Sequence, residues 1–357
     1  MNRTIKTLGL ALPVAVVALI VVNQRSGQTA LQAAPAQAGE PAAHLMTAAE
    51  HIAHMAAAGD IHAGHALEEL SWTLTQAAPD NLSLPADDMG AAARLASSPR
   101  KGEFVTIDVG GTPMRTWVVH PAGSAPAPVV VVIQEVFGLS DWIRGVADQL
   151  AAEGFIAVAP DLLAGHGPNG SDSSAFASQQ DAVQATLQLP ADEIITRLKA
   201  ARTWGLALAR ANGKSGTVGF CFGGNQSFAM AVNEPSLDAA VVYYGAAPTD
   251  VPAAPRGRGA GGRGTPPPPF VASDSLTRVS APVLGLYGGL MEDARIGNTI
   301  APTEAKMKEF GKTYEPHIFD GAAHGFLRAQ TGNDGANMKA TEQAWSLTVG
   351  WLKKYTS

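Results

Sequence analysis

Gly219-Phe220-Cys221-Phe222-Gly223-Gly224 is the stretch whose reading decides the fold. Ahead of it Thr217–Phe220 reads as a short buried strand, and Asn225–Asn233 behind it has the texture of a helix. Strand, Gly-x-Cys-x-Gly, helix is the layout of a nucleophile elbow, in which the reacting side chain occupies a strained, tight turn. Small neighbours let strand and helix approach closely, so the side chain stands clear at the carboxyl edge of a sheet. Cysteine fills the nucleophile position here; a thiolate is the better nucleophile, and a helix N-terminus favours it. A free cysteine is often only a small buried hydrophobe. This one is the chain's only thiol, at the one position an elbow reserves for a nucleophile.

Outward from the elbow, strands and helices alternate. Phe104–Val109 and Met114–His120 flank Gly110-Gly111 and read as a hairpin. Val129–Gln134 and Phe155–Ala159 are apolar runs of the kind buried on both faces, separated by helical spacing over Asp141–Glu153. A Gly/Ser/Asn-rich loop at Gly165–Ser174 leads into helical text up to Asn212, broken at Pro190. After the elbow come strand Ala239–Tyr244, strand Val283–Tyr287, helix Thr303–Phe310, strand Tyr314–Phe319 and helix Thr341–Lys354. The pattern predicts an α/β domain with a mostly parallel sheet of about eight strands covered by helices on both faces.

A nucleophilic cysteine needs a base and a group to orient it, in the order nucleophile, acid, histidine for this layout. His324 lies in Gly321-Ala322-Ala323-His324-Gly325-Phe326, a loop of small residues just past the last strand. Small neighbours allow a tight loop that turns an imidazole back toward the elbow. His120 and His166 read as loop histidines of no consequence, and His317 sits inside a strand. The acid should follow Val283–Tyr287, where Glu292 and Asp293 both qualify; adjacent side chains diverge, so only one can serve, and Asp293 is preferred.

Composition narrows the function. The chain has 357 residues, 46% hydrophobic and 16% charged, enough for one large domain with extras. A net charge of −6 and 6% aromatics argue against a nucleic-acid surface, and one cysteine excludes an internal disulfide framework. Arg3 and Lys6 precede an uncharged run from Thr7 to Val22, and Ala36-Gln37-Ala38 fits a signal-peptidase site. Residues 1–38 are therefore expected to be a signal peptide cut after Ala38, with a periplasmic or secreted product. The alternative is an uncleaved anchor through residues 7–22, slightly short of the ~20 residues a spanning helix wants.

Residues 39–100 read as a helical or irregular extension. His44, His51, His54, His62 and His65 cluster there, with acids poorly placed for a tetrahedral set, so a loosely packed leader is preferred to a metal site. Pro252–Pro269, with four consecutive prolines and two Arg-Gly-rich repeats, reads as a tolerated surface insertion within a catalytic domain spanning 101–357.

These motifs resemble the dienelactone hydrolase family, a Cys-His-Asp branch of the α/β-hydrolase fold, over roughly Ser98 to the C-terminus. The most specific stretch is Gln134-Glu135-Val136-Phe137-Gly138-Leu139, joined by Ile143-Arg144, Gly154-Phe155, Pro160-Asp161-Leu162, the elbow, Asp293-Ala294-Arg295-Ile296 and His324-Gly325-Phe326. The resemblance implies a carboxymethylenebutenolidase-type enzyme that cleaves small ester or lactone substrates. It implies that Glu135 contacts the resting thiol, disfavouring thiolate until substrate displaces it, and that Val136 and Phe222 N–H groups bind the oxyanion. It implies that Arg328 grips a substrate carboxylate; Phe137 and Tyr244 join it as candidates on the substrate side. The family's second arginine, after Asp161, has no counterpart, since Leu162–Ala191 contains no Arg or Lys. Thiol hydrolysis requires neither metal nor organic cofactor. A broad exported carboxylesterase and a non-catalytic exported binding domain stay open as alternatives.

Overall fold

A computed structural model describes residues 81–250 and 269–357; the targeting segment, the histidine cluster and residues 251–268, which take in all of the insertion but Pro269, lie outside the described residues. Within them the β-branched run Ala127–Ile133 forms β3, buried along nearly its whole length. β1 (Glu103–Val109) and β2 (Thr112–Val119) form the predicted hairpin, with Val109 opposite Thr112 across the Gly110-Gly111 turn. β4 (Ile156–Pro160), β5 (Ala211–Phe220), β6 (Ala239–Tyr243), β7 (Val283–Gly288) and β8 (Tyr314–Phe319) complete an eight-stranded sheet ordered β1-β2-β4-β3-β5-β6-β7-β8. β2 pairs antiparallel with β1 and β4, and every other pairing is parallel. β4, β6 and β7 are buried at every position, which requires cover on both faces of the sheet.

The cover is helical: α1 (Asp88–Ser97), α2 (Asp141–Ala152), α3 (Gln179–Leu187), α4 (Ala191–Leu206), α5 (Phe222–Asn233), α6 (Ala294–Glu309) and α7 (Ala336–Thr356). α2 starts where the Ser140 hydroxyl accepts from the Ile143 N–H, an N-cap that satisfies one of the orphan donors of the first turn. α5 begins three residues earlier than its spacing suggested, because Phe222 and the two glycines after it are already helical. α6 is twice as long as expected and carries Pro302 in its interior; proline removes one helix donor, but packing holds the flanking turns together. α7 gains a turn and a half at its start.

α1 was not anticipated. Asp87 caps it by accepting from Gly90 N–H at 2.8 Å, and Ala91 is fully buried against the domain. Leu84 belongs to the same core, and Gln330 reaches back to the Pro85 carbonyl at 2.9 Å. Where it is described, the extension is docked on the domain and not loosely packed.

From β3 the chain steps to β4 on one side, and β5 then lies on the other side of β3. In an open parallel sheet, the crevice beyond the carboxyl ends of two such strands is where ligands bind. Ile133 at the end of β3 is paired with Gly219 of β5. The stretch 134–139 and the elbow therefore leave the sheet side by side.

Candidate active site

Cys221 follows β5 with φ 54° and ψ −116°, outside any conformation a cysteine adopts without strain, and it is the N-cap of α5. Such a residue costs about 1–3 kcal/mol and persists only where its surroundings over-determine it. The surroundings do so. Its N–H donates to the Tyr243 carbonyl at 3.1 Å, and its carbonyl accepts from Asn225 N–H at 3.2 Å. A Cβ on Gly219 would lie 1.9 Å from the Gly223 carbonyl oxygen, and one on Gly223 would lie 2.3 Å from that of Ile133 and 2.5 Å from that of Gln134. Only glycine fits both sites, and the second closeness sets the start of α5 against the end of β3. Phe222 and Val136, each adjoining one side of this approach, are both buried.

The histidine comes from the other side of the sheet. After β8 the chain turns at Gly321, and the Ala322 carbonyl accepts from Gly289 N–H at 2.8 Å while Asn337 holds the Ala323 N–H at 2.9 Å. These bonds set His324 next to the loop after β7. Its Nδ1 lies 2.8 Å from Asp293 Oδ2, with both side chains almost wholly buried. A carboxylate accepts hydrogen bonds, so this contact suits an imidazole with its proton on Nδ1. Asp293 begins α6 without using its side chain as a cap, which leaves the carboxylate for the imidazole. Glu292, the alternative acid, is exposed. Tyr244 is buried, and its ring packs on His324 at a centroid distance of 4.9 Å. It directly follows Tyr243, the residue paired with Phe220, so the imidazole shares this edge with the elbow.

Glu135 is buried and forms an ion pair with Arg328, Oε2 to Nε at 3.3 Å. The resemblance implied a second arginine after Asp161 for this glutamate; the cation that the structure sets against Glu135 is Arg328. Arg328 also bonds Asp88 of α1, Nη1 to Oδ2 at 3.0 Å, and lies 4.9 Å over the half-buried Phe137 ring. Asp88 had no place in the expected site. Its local signal was only an Asp-Asp pair ahead of an alanine-rich run, the signature of a helix start.

A second unforeseen feature holds the 134–139 stretch. Asp161, fully buried, accepts from Ser173 Oγ at 2.5 Å, from Ser173 N–H at 3.0 Å and from Leu163 N–H at 3.0 Å. Ser173 Oγ in turn accepts from Leu139 N–H at 3.1 Å, and Gln134 Oε1 accepts from Leu162 N–H at 3.1 Å. Burial pushes the Asp161 carboxyl up from its ordinary value, against the lowering effect of its hydrogen bonds with Ser173 and Leu163.

A family model described as the dienelactone hydrolase family matches residues 114–356. A proposed carboxymethylenebutenolidase of Methylorubrum extorquens is 30% identical over 249 residues, covering 66% of this chain and 75% of that protein. Another, from Escherichia coli, is 27% identical over 258 residues, covering 71% of this chain and 86% of its own length. The crystal structure of a proposed dienelactone hydrolase from Klebsiella pneumoniae superposes with a TM-score of 0.58 at 23% identity, over 72% of this chain and 99% of that one; it shares the fold. The matched span takes in the elbow, the buried Asp–His pair and Arg328, and the chain belongs to the dienelactone hydrolase family, as a hydrolase acting on esters or lactones.

Proposed function

We propose that the enzyme cleaves its substrate through Cys221, with His324 as general base and Asp293 as the group that orients it. The observation that carries this reading is the pairing of a strained cysteine at a strand–helix corner with a buried 2.8 Å imidazole–carboxylate contact at the same sheet edge. The Cys221 thiol gives its proton to His324 Nε2 as sulfur bonds to the substrate carbonyl carbon. Negative charge gathers on the carbonyl oxygen, where Val136 and Phe222 N–H groups receive it; one such donor is worth about 10²–10³ in rate. When the carbon–oxygen bond breaks, the alkoxide takes the proton from His324, leaving a thioester. Water then attacks that thioester, loses its proton to His324, and the thiol is released with that proton.

Asp293 fixes the tautomer and stabilises the imidazolium that forms twice in each cycle. Esters and lactones suit this scheme better than amides because an alkoxide leaves more easily than an amine. We further propose export, supported by the Arg3/Lys6 start, the uncharged run to Val22 and Ala36-Gln37-Ala38. A mature chain beginning at Gly39 in the mass spectrum of the native protein is the expected outcome, and an intact N-terminus refutes cleavage.

The deciding experiment compares wild type with Cys221→Ala on p-nitrophenyl butyrate and a δ-lactone, with mass spectrometry of the quenched enzyme for an acyl adduct on Cys221. Turnover and adduct should both vanish in the variant. Undiminished turnover by Cys221→Ala refutes the thiol mechanism, and a wild type inert to the whole panel favours a binding domain.

A further inference from the structure

Arg328 is held by two carboxylates, both distant from it in sequence. Its Nη1 bonds Asp88 Oδ2 at 3.0 Å, and its Nε faces Glu135 Oε2 at 3.3 Å. The guanidinium is nearly buried, and so is Glu135, while Asp88 keeps about a third of its side chain exposed. The contact with Asp88 is built. Asp88 N–H donates to the Arg328 carbonyl at 3.0 Å, Gln330 Nε2 donates to the Pro85 carbonyl at 2.9 Å, and the buried Asp87 starts the helix by accepting from Gly90 N–H. Backbone, side chain and helix cap thus deliver one carboxylate to one arginine.

We infer that Asp88 takes the position a substrate carboxylate would otherwise occupy on Arg328, and so sets the enzyme's preference for uncharged acyl groups. This inference rests on the hydrolase reading above. A guanidinium recognises an incoming carboxylate by offering a fork of donors and an unbalanced positive charge. Here the guanidinium already bonds Asp88 and faces Glu135, so two carboxylates stand against the one cation. A third carboxylate meets net negative charge in a partly desolvated site, where like charges repel far more strongly than in water. An uncharged acyl chain meets no such penalty and packs on the Phe137 ring beside Arg328. Selectivity then comes from a repulsive element aimed at the wrong substrate. Asp88 lies 240 residues from Arg328 in sequence and belongs to the segment ahead of the residues matched by the family model. The carboxylate-excluding element therefore lies outside the span that the family model matches.

The test runs kcat/KM for p-nitrophenyl hexanoate and mono-p-nitrophenyl adipate, which differ by a terminal carboxylate, on wild type, Asp88→Asn and Asp88→Glu. The expected result is a strong wild-type preference for hexanoate that shifts at least tenfold toward the adipate in Asp88→Asn and stays put in Asp88→Glu. Titration calorimetry with free hexanoate and hexanamide reads the same change without turnover: Asp88→Asn should bind hexanoate at least tenfold tighter, with hexanamide unmoved. Adding Arg328→Gln to Asp88→Asn should abolish both gains. If the esters are hydrolysed but neither the ratio nor the hexanoate affinity moves in Asp88→Asn, this inference is overturned and the hydrolase reading stands. If no ester is hydrolysed and hexanoate binding still strengthens, the hydrolase reading falls and the role of Asp88 survives.

Discussion

Replacing Gly223 by alanine tests whether the elbow's closeness to β3 is what aligns the reacting groups. The new methyl would sit 2.3 Å from the Ile133 carbonyl oxygen and 2.5 Å from that of Gln134, both backbone atoms that no rotamer change can move aside. Real carbon–oxygen contacts begin near about 3.3 Å, so the start of α5 and the end of β3 must separate by roughly 1 Å. Overpacking of this kind costs about 1–3 kcal/mol of stability, several degrees in Tm for a domain of this size. The catalytic cost is the sharper signal. Phe222 is on the side that moves and Val136 on the side that stays, so the proposed oxyanion donors part by about the same distance, and a 1 Å misplacement lowers rates by about 10²-fold. The assay is kcat on p-nitrophenyl butyrate at saturating substrate, below the melting transition, with the far-ultraviolet spectrum as a check on folding. Gly350→Ala is the control: position 350 lies on the exposed face of α7 with open space where the methyl goes, and alanine there should raise Tm by relieving helix glycine and leave kcat alone. A folded Gly223→Ala enzyme within threefold of wild-type kcat refutes the argument that this contact positions the donors.

Two further outcomes follow from the buried carboxylates. Asp293→Asn should lower kcat by about 10³–10⁴-fold through loss of the imidazole's tautomer and counter-charge, whereas Glu292→Gln, on an exposed side chain, should stay within about twofold; a larger loss in the second variant reverses the assignment. Asp161 has its carboxyl pushed up by burial in the folded protein, so its stabilising contribution is complete below the unfolded value of about 3.9 and is lost as pH rises through the folded value. Chemical denaturation of wild type and Asp161→Asn from pH 4 to 8 should show the wild-type advantage shrinking as pH rises, and a widening gap contradicts that sign.

The alternation of strands and helices was legible because parallel strands buried on both faces leave nearly unbroken apolar runs, as in Val129–Ile133 and Ala239–Tyr243. The hairpin was legible from Gly110-Gly111, where the chain needs positive φ at both residues. Element edges were less so, for definable reasons. Phe222-Gly223-Gly224 has poor helix propensity, and the helix starts there because close packing on β3 overrides that preference. Pro302 marks a break by local rules and sits inside α6 all the same. α1 was hidden because its apolar face is mostly alanine, with Ala91 alone fully buried.

The candidate site divides along the same line. Cys221 and His324 announce themselves, since the chemistry of an elbow and of a glycine-flanked histidine is written in adjacent residues. Asp293 and Glu292 could be separated only by geometry: neighbouring carboxylates are equal in composition, and the backbone decides which one turns inward to meet Nδ1 at 2.8 Å. Arg328 was legible as a cation near the histidine but not as an occupied one, because Asp88 reaches it across 240 residues and ion pairing leaves no periodicity behind. That difference bears on function. An arginine read from sequence stands for attraction of anions, but its meaning depends on the sum of charges around it. With Glu135 and Asp88 both on Arg328, the field offered to a substrate is set in part by Asp88, a residue the motif does not contain. In this chain, the proposed charge preference is therefore to be read from the partners of Arg328, not from its presence.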